Sequence, residues 1–143
     1  MKLINFELSQ PSFSIELIGL GYVWDLHNAG SFLGVTVDPT DNSAVMKWAI
    51  TGHHATKYSG CNLVFRGLKM IIVSPRDEEL PYSEDTVVSG MSKIIPQASG
   101  KLELRTRVKW HADDPFHLLV EFQSRRSIEI NADTVELIGI PAS

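Results

Sequence analysis

Strict two-residue alternation over residues 101–110 constrains this chain more than any other feature. Leu102, Leu104, Thr106, Val108 and Trp110 take one phase, and Lys101, Glu103, Arg105, Arg107 and Lys109 take the other. A helix, with about 3.6 residues per turn, would mix the two sets around its axis, whereas an extended strand separates them onto opposite faces. The segment therefore predicts a strand with one wet face. Phe116, Leu118, Val120 and Phe122 alternate with His117, Leu119, Glu121 and Gln123 in the same way, and residues 111–115 form a turn between the two. Pairing Trp110 with Phe116 aligns Val108 with Leu118, Thr106 with Val120 and Leu104 with Phe122, and sets Arg105 against Glu121. Ile128 and Ile130, then Val135 and Leu137, continue the alternation, which predicts an antiparallel meander of four strands in the last third of the chain.

Upstream, Phe13, Ile15 and Leu17, then Leu33, Val35 and Val37, then Met46, Trp48 and Ile50 mark further strands. Leu63 and Phe65 are out of phase with Leu68, Met70 and Ile72, so a β-bulge or a turn is expected at Gly67. Turn dipeptides recur throughout: Gln10-Pro11, Ser59-Gly60, Ser74-Pro75 and Ser99-Gly100 among them. Short strands between frequent turns define an all-β chain. The expected fold is an antiparallel β-sandwich or flattened barrel of about eight or nine strands, forming one domain over residues 1–143. One short helix is expected near residues 83–95. Ser83 would be its N-cap, Glu84 and Asp85 would sit in its first turn, and Val87, Val88, Met91, Ile94 and Ile95 have helical spacing. A strand through Thr86 to Ser89 is the rival.

At 143 residues a globular fold buries roughly two-thirds of its unfolded surface, so the core needs no disulfide or metal staple. With Cys61 as the only cysteine, no internal disulfide can form, which favours a reducing compartment and a cytoplasmic location. Asn5 and Glu7 interrupt any apolar signal-peptide core, and no apolar run is long enough for a membrane helix. A net charge of −4 disfavours a general grip on nucleic acid. The stripe Arg105, Arg107 and Lys109 has no aromatic residues interleaved with it on that face, so it lacks the stacking platform of a single-strand binder.

Motifs for catalysis or cofactors are equally sparse. His27, His53, His54 and His111 do not fall into a metal-ligand spacing, and adjacent residues of a strand, such as His53 and His54, point to opposite faces. No metal site is expected. Gly19-x-Gly21 resembles the opening of a dinucleotide loop, but Trp24 stands where the third glycine belongs, so the pair is read as turn or bulge glycines and no cofactor is expected. Cys61 lacks any activating neighbour in sequence and suits a small core position.

Two local clusters remain. Asp77, Glu78, Glu79, Glu84 and Asp85 place five carboxylates within nine residues. Without them the acids number 12 against 13 bases, so the net negative charge resides in this one region. Such a cluster suits the contact surface for a basic partner protein. Tyr22, Trp24, Asp25 and His27, in a loop after the glycine pair, form the candidate small-ligand site. These features lead to a non-catalytic protein-interaction module, such as a small bacterial inhibitor or immunity-type protein. A small-ligand-binding β-barrel is the alternative, and a hydrolase with an unfamiliar site is a third.

Overall fold

A computed structural model describes residues 1–52, 57–95, 110, 111 and 113–143. The protein is all-β, with antiparallel sheets and almost no helix. Among the described residues there are ten strands: β1 (Lys2–Ile4), β2 (Phe6–Leu8), β3 (Glu16–Gly19), β4 (Tyr22–Asp25), β5 (Gly30–Asp38), β6 (Ser43–Ile50), β7 (Tyr58–Ser74), β8 (Val88–Ile94), β9 (His117–Phe122) and β10 (Ser127–Pro141). Seven of them form a curled half-barrel in the order β5-β6-β7-β10-β9-β8, with β1 added in parallel to β10. The other three form a small sheet, β2-β3-β4. Phe6, Leu8, Leu17 and Trp24 of the small sheet share one buried core with Trp48, Leu63, Phe65, Val120, Val135 and Leu137 of the large one.

The chain passes from the large sheet to the small one at Asn5, whose φ of 69° lies in the left-handed region that asparagine tolerates better than most residues. Gly19 allows β3 to pair closely with the start of β2, because a side chain there would strike the Asn5 carbonyl and Phe6. Leu20 and Gly21 then close the β3–β4 hairpin with φ values of 58° and 69°, the two positive angles of a type I′ turn. The glycine pair is thus turn chemistry, not a phosphate loop.

The phase change at Gly67 is real, and it involves two strands. β7 and β10 run antiparallel along almost their whole lengths. Phe65 and Val135 face the core as partners, and so do Leu68 and Ala132. Between them both strands flip phase together, where Gly67 has a φ of 67° and the Asp133 side chain occupies the space a side chain at 67 would need. The register itself shifts at Lys69, which is extra relative to β10, and Lys69 Nζ meets Asp133 at 3.1 Å. Because of this bulge, Ile71 packs on the core and Ile72 is exposed. Residues 127–141 are therefore a single strand, where the alternation had suggested two.

Two expectations need correction, and a third falls largely outside the described residues. The helix near residues 83–95 is absent: Tyr82–Thr86 form one 3-10 turn whose N-cap is Pro81, not Ser83, and Val88–Ile94 are strand β8. The helical spacing of Val88 and Met91, both fully buried, comes from a bulge at Ser89: Val88 pairs with Phe122, and Gly90 with Glu121. One inserted residue turns a spacing of two into three, which on paper imitates a helix. Phe13 and Leu33 leave the core face as well. Phe13 takes a φ of 55°, and Leu33 is the bulged residue between Phe32 and Gly34, 65% exposed. Finally, the strand expected at 101–109 and its pairing lie outside the described residues, and β9 has β8 on one edge and β10 on the other. Trp110 is half-buried with its ring edge-on to Phe116 at 6.0 Å.

Phe122 packs its ring 4.8 Å from Phe32 inside the curled sheet. Phe122→Ala should cost about 3–5 kcal/mol in urea unfolding, and Leu33→Ala should stay within about 0.5 kcal/mol. A reversed ranking would place the core on the wrong face of β5.

Candidate functional site

The acidic segment between β7 and β8 is folded around a cation that the carboxylate count alone does not reveal. Arg76 has a side chain only 10% exposed. Its Nε donates to both oxygens of Asp85 at 3.0 and 3.1 Å, and one terminal nitrogen donates to the carbonyls of Leu80 and Pro81 at 2.7 and 3.0 Å. A guanidinium withdrawn from water needs this many acceptors, since each unmet donor would carry its desolvation cost. The outer face of Arg76 carries the Tyr82 ring, 4.4 Å from the guanidinium carbon.

The β9–β10 hairpin grips the same segment from the other side. Fully buried Ser124 accepts the Asp77 N–H at 2.8 Å through its carbonyl and donates its own N–H to the Glu84 carbonyl at 3.2 Å. Its hydroxyl bonds to the Asp85 carboxylate. This bond, together with Arg76, holds Asp85 below the usual carboxylate range. Asp77 accepts the Glu79 N–H at 3.0 Å and pairs with Arg125 at 3.3 Å. Of the five acids, Asp77 and Asp85 are therefore committed to the fold. Glu78, Glu79 and Glu84 have no ion-pair partner among the described residues. Three arginines, 76, 125 and 126, stand around five carboxylates, so the local excess of negative charge is smaller than the sequence run implies.

The residues of the candidate ligand site are placed differently. Trp24 is fully buried, donates its indole N–H to the Gly19 carbonyl at 3.0 Å and packs against Tyr22 and Tyr58 at 4.8 Å each. Asp25 folds its own turn by accepting the backbone N–H groups of His27 and Asn28 at 3.2 and 2.8 Å and the Asn28 side-chain amide at 2.9 Å. Partial burial pushes the Asp25 carboxyl up, but the three bonds outweigh it and the net direction is down. His27 Nδ1 lies 2.6 Å from the Val88 carbonyl, joining the turn before β5 to the start of β8. The four residues are neighbours, yet they are occupied with packing and turn bonds.

Cys61 is fully buried, and burial pushes its thiol up to about 12. His53 and His54 lie outside the described residues. His111 and Asp114 close a turn through bonds of 2.8 and 3.1 Å. Among the described residues no group of three His, Cys, Asp or Glu is placed to hold a metal ion, and no helix is long and apolar enough to cross a membrane.

The important residues that composition missed are Arg76, Tyr82, Ser124 and Arg126. Ser124-Arg125-Arg126 is a visible basic pair in a hairpin, but nothing local connects it with acids some fifty residues earlier. Comparison of the chain with family models, with curated proteins and with solved structures returns no match.

Two outcomes follow from this geometry. A carboxyl whose folded pKa is depressed stabilises the fold above its unfolded pKa, and that stability is lost as pH falls through the folded value. Asp85→Asn should lower the melting temperature at neutral pH and flatten its decline below about pH 4, measured by thermal unfolding across the acid range. A mutant curve parallel to that of the wild type would remove Asp85 from the linkage. For Cys61, a disulfide reagent at pH 8 should label the native chain far more slowly than the chain in denaturant, because the thiolate is the reactive form. Equal labelling rates would refute the burial assigned to it.

Proposed function

We propose that this chain is a non-catalytic protein-interaction module, in the manner of an inhibitor or immunity-type protein, and that residues 75–86 form its contact surface. The observation that carries the reading is Tyr82, 80% exposed on a loop that Arg76 and Ser124 hold in place from below. Tyrosine and arginine are the residue types over-represented at interface hot spots, because they bring large area and hydrogen-bonding ends with few rotors to freeze. A loop already fixed by internal bonds loses little further entropy on binding. Glu79 and Glu84, which have no ion-pair partner among the described residues, lie in the same segment as the tyrosine and carry charge able to steer a basic group on the partner. A cytoplasmic location belongs to the same proposal and rests on the single buried thiol.

The interior supports this reading over a ligand-binding barrel. Trp24, Trp48, Phe65, Met46 and Leu63 fill the space between the sheets, and all are less than 2% exposed. Of the candidate ligand-site residues, Trp24 belongs to that filling and Tyr22 packs against it.

The test compares partner binding by the wild type, Tyr82→Ala and the double variant Glu79→Lys/Glu84→Lys at low and moderate salt. Tyr82→Ala should weaken the complex about tenfold or more, as hot-spot truncations do. The charge reversal should slow association, with the difference shrinking as salt rises. Melting temperatures should stay near that of the wild type, since none of these side chains is buried. A partner that binds all three chains with the same rates would take the surface away from residues 75–86.

A further inference from the structure

An open groove of about 720 Å3 lies beside the pinned loop, lined by Val73, Pro75, Arg76, Glu78, Tyr82 and Arg126. Its two guanidiniums differ in what they are doing. Arg76 has committed its Nε and one terminal nitrogen to Asp85 and two carbonyls. Arg126 donates its backbone N–H to the Ser124 hydroxyl at 3.4 Å, but its side chain makes no hydrogen bond or close ion pair among the described residues; it acts on Asp85 only through space. Arg126 is half-buried, so part of its hydration has been removed and nothing in the described structure replaces it. A guanidinium in that condition gains from a planar acceptor, and its fork of donors matches a carboxylate in two parallel bonds. Beside it, Val73 is half exposed and offers an apolar surface, with the Tyr82 ring on the same rim.

We propose that this groove takes a carboxylate side chain from an acidic segment of the partner protein, bound by Arg126, with an apolar neighbour of that residue packed on Val73 and Tyr82. The inference rests on the interaction reading above and adds the chemistry of one partner group. Glu78 is the one carboxylate in the lining. Its charge opposes any anion, and opposes a phosphate carrying up to two charges more than a carboxylate carrying one. The groove is thereby biased toward Asp or Glu rather than a phosphorylated side chain. The partner contact then alternates in sign: a basic group outside, against Glu79 and Glu84, and an acidic group inside, against Arg126.

The experiment titrates the full isotope-labelled chain with the blocked peptide acetyl-Gly-Phe-Glu-Gly-amide, its Gln counterpart and inorganic phosphate, following the Arg126 Nε–Hε signal, the Val73 methyls and the Tyr82 ring by NMR. The Glu peptide should give saturable shifts at all three residues and bind about tenfold tighter than the Gln peptide, the effect of one charge-assisted pair. Arg126→Gln should abolish that difference, and Glu78→Gln should tighten the Glu peptide, with both variants keeping the wild-type amide spectrum elsewhere. Equal binding of the Gln peptide, phosphate binding as tight as that of the Glu peptide, no saturable shift, or unchanged binding by Arg126→Gln would each overturn the assignment. Failure here with an intact Tyr82→Ala effect on the partner removes only the groove. Failure of both removes the contact surface.

Discussion

The antiparallel ladder between β7 and β10 is the constraint on which the rest depends. It joins the two longest strands, and every other strand of the large sheet builds outward from it: β6 and β5 from β7, and β9, β8 and β1 from β10. Its kink lets one pair of strands serve two directions. Before Gly67 the core face carries Leu63, Phe65, Val135 and Leu137; beyond it, the same face carries Leu68, Ile71, Ala132 and Ile130. A phase flip in only one strand would have driven a row of apolar side chains into water. Because both flip at the same rung, the core stays continuous while the sheet bends, as bulges and left-handed glycines permit. The bend curls the sheet, bringing β5 toward β8 and the 3-10 turn.

That closure is fastened by a few specific bonds. His27 reaches the Val88 carbonyl from the turn before β5, and Phe32 meets Phe122 across the interior. The free side of β8 is covered by residues 10–14: Ser14 and Met91 exchange two backbone bonds of 2.8 Å, Lys93 donates to Pro11, and the Ser92 hydroxyl accepts the Phe13 N–H. Gly90 sits under this crossing, where a side chain would meet the Phe13 ring. An otherwise open edge is thus closed by the chain's own N-terminal segment, one of the ways proteins avoid unwanted strand pairing.

The charged groups divide by burial. Lys69–Asp133 and Arg66–Glu136 lie on the surface and are worth about 0–1 kcal/mol each. Arg76 is different, because its charge is largely out of water and the bonds of its Nε and one terminal nitrogen to Asp85, Leu80 and Pro81 replace part of that water. Ser124 does the same from the neighbouring hairpin. Local turn bonds, such as the Glu79 N–H to Asp77 at 3.0 Å, shape the loop, and the bonds of Arg76 and Ser124 fix it to the rest of the fold. Glu78, Glu79, Glu84 and Arg126 make no side-chain ion pair among the described residues.

The sequence by itself determined the class of fold, because period two is legible one strand at a time: Met46, Trp48 and Ile50, or Leu118, Val120 and Phe122, name their core face without knowledge of any partner. It also located the break at Gly67, since a change of phase within one segment is a local fact, and it marked Asp77 to Asp85 as a segment of unusual charge. Tertiary structure decided what local pattern leaves degenerate. The three-residue spacing of Val88 and Met91 fits a helical turn and a bulged strand equally well, and only β9 beside it makes it a strand. The five acids look alike on paper, but Asp77 is consumed by Arg125 and Asp85 by Arg76 and Ser124, and both Ser124 and Arg125 stand in the β9–β10 hairpin some forty to fifty residues away. Pairing between distant segments carries no periodic signature in either segment, so the division of these charges into structural and available ones exists only once the chain has folded.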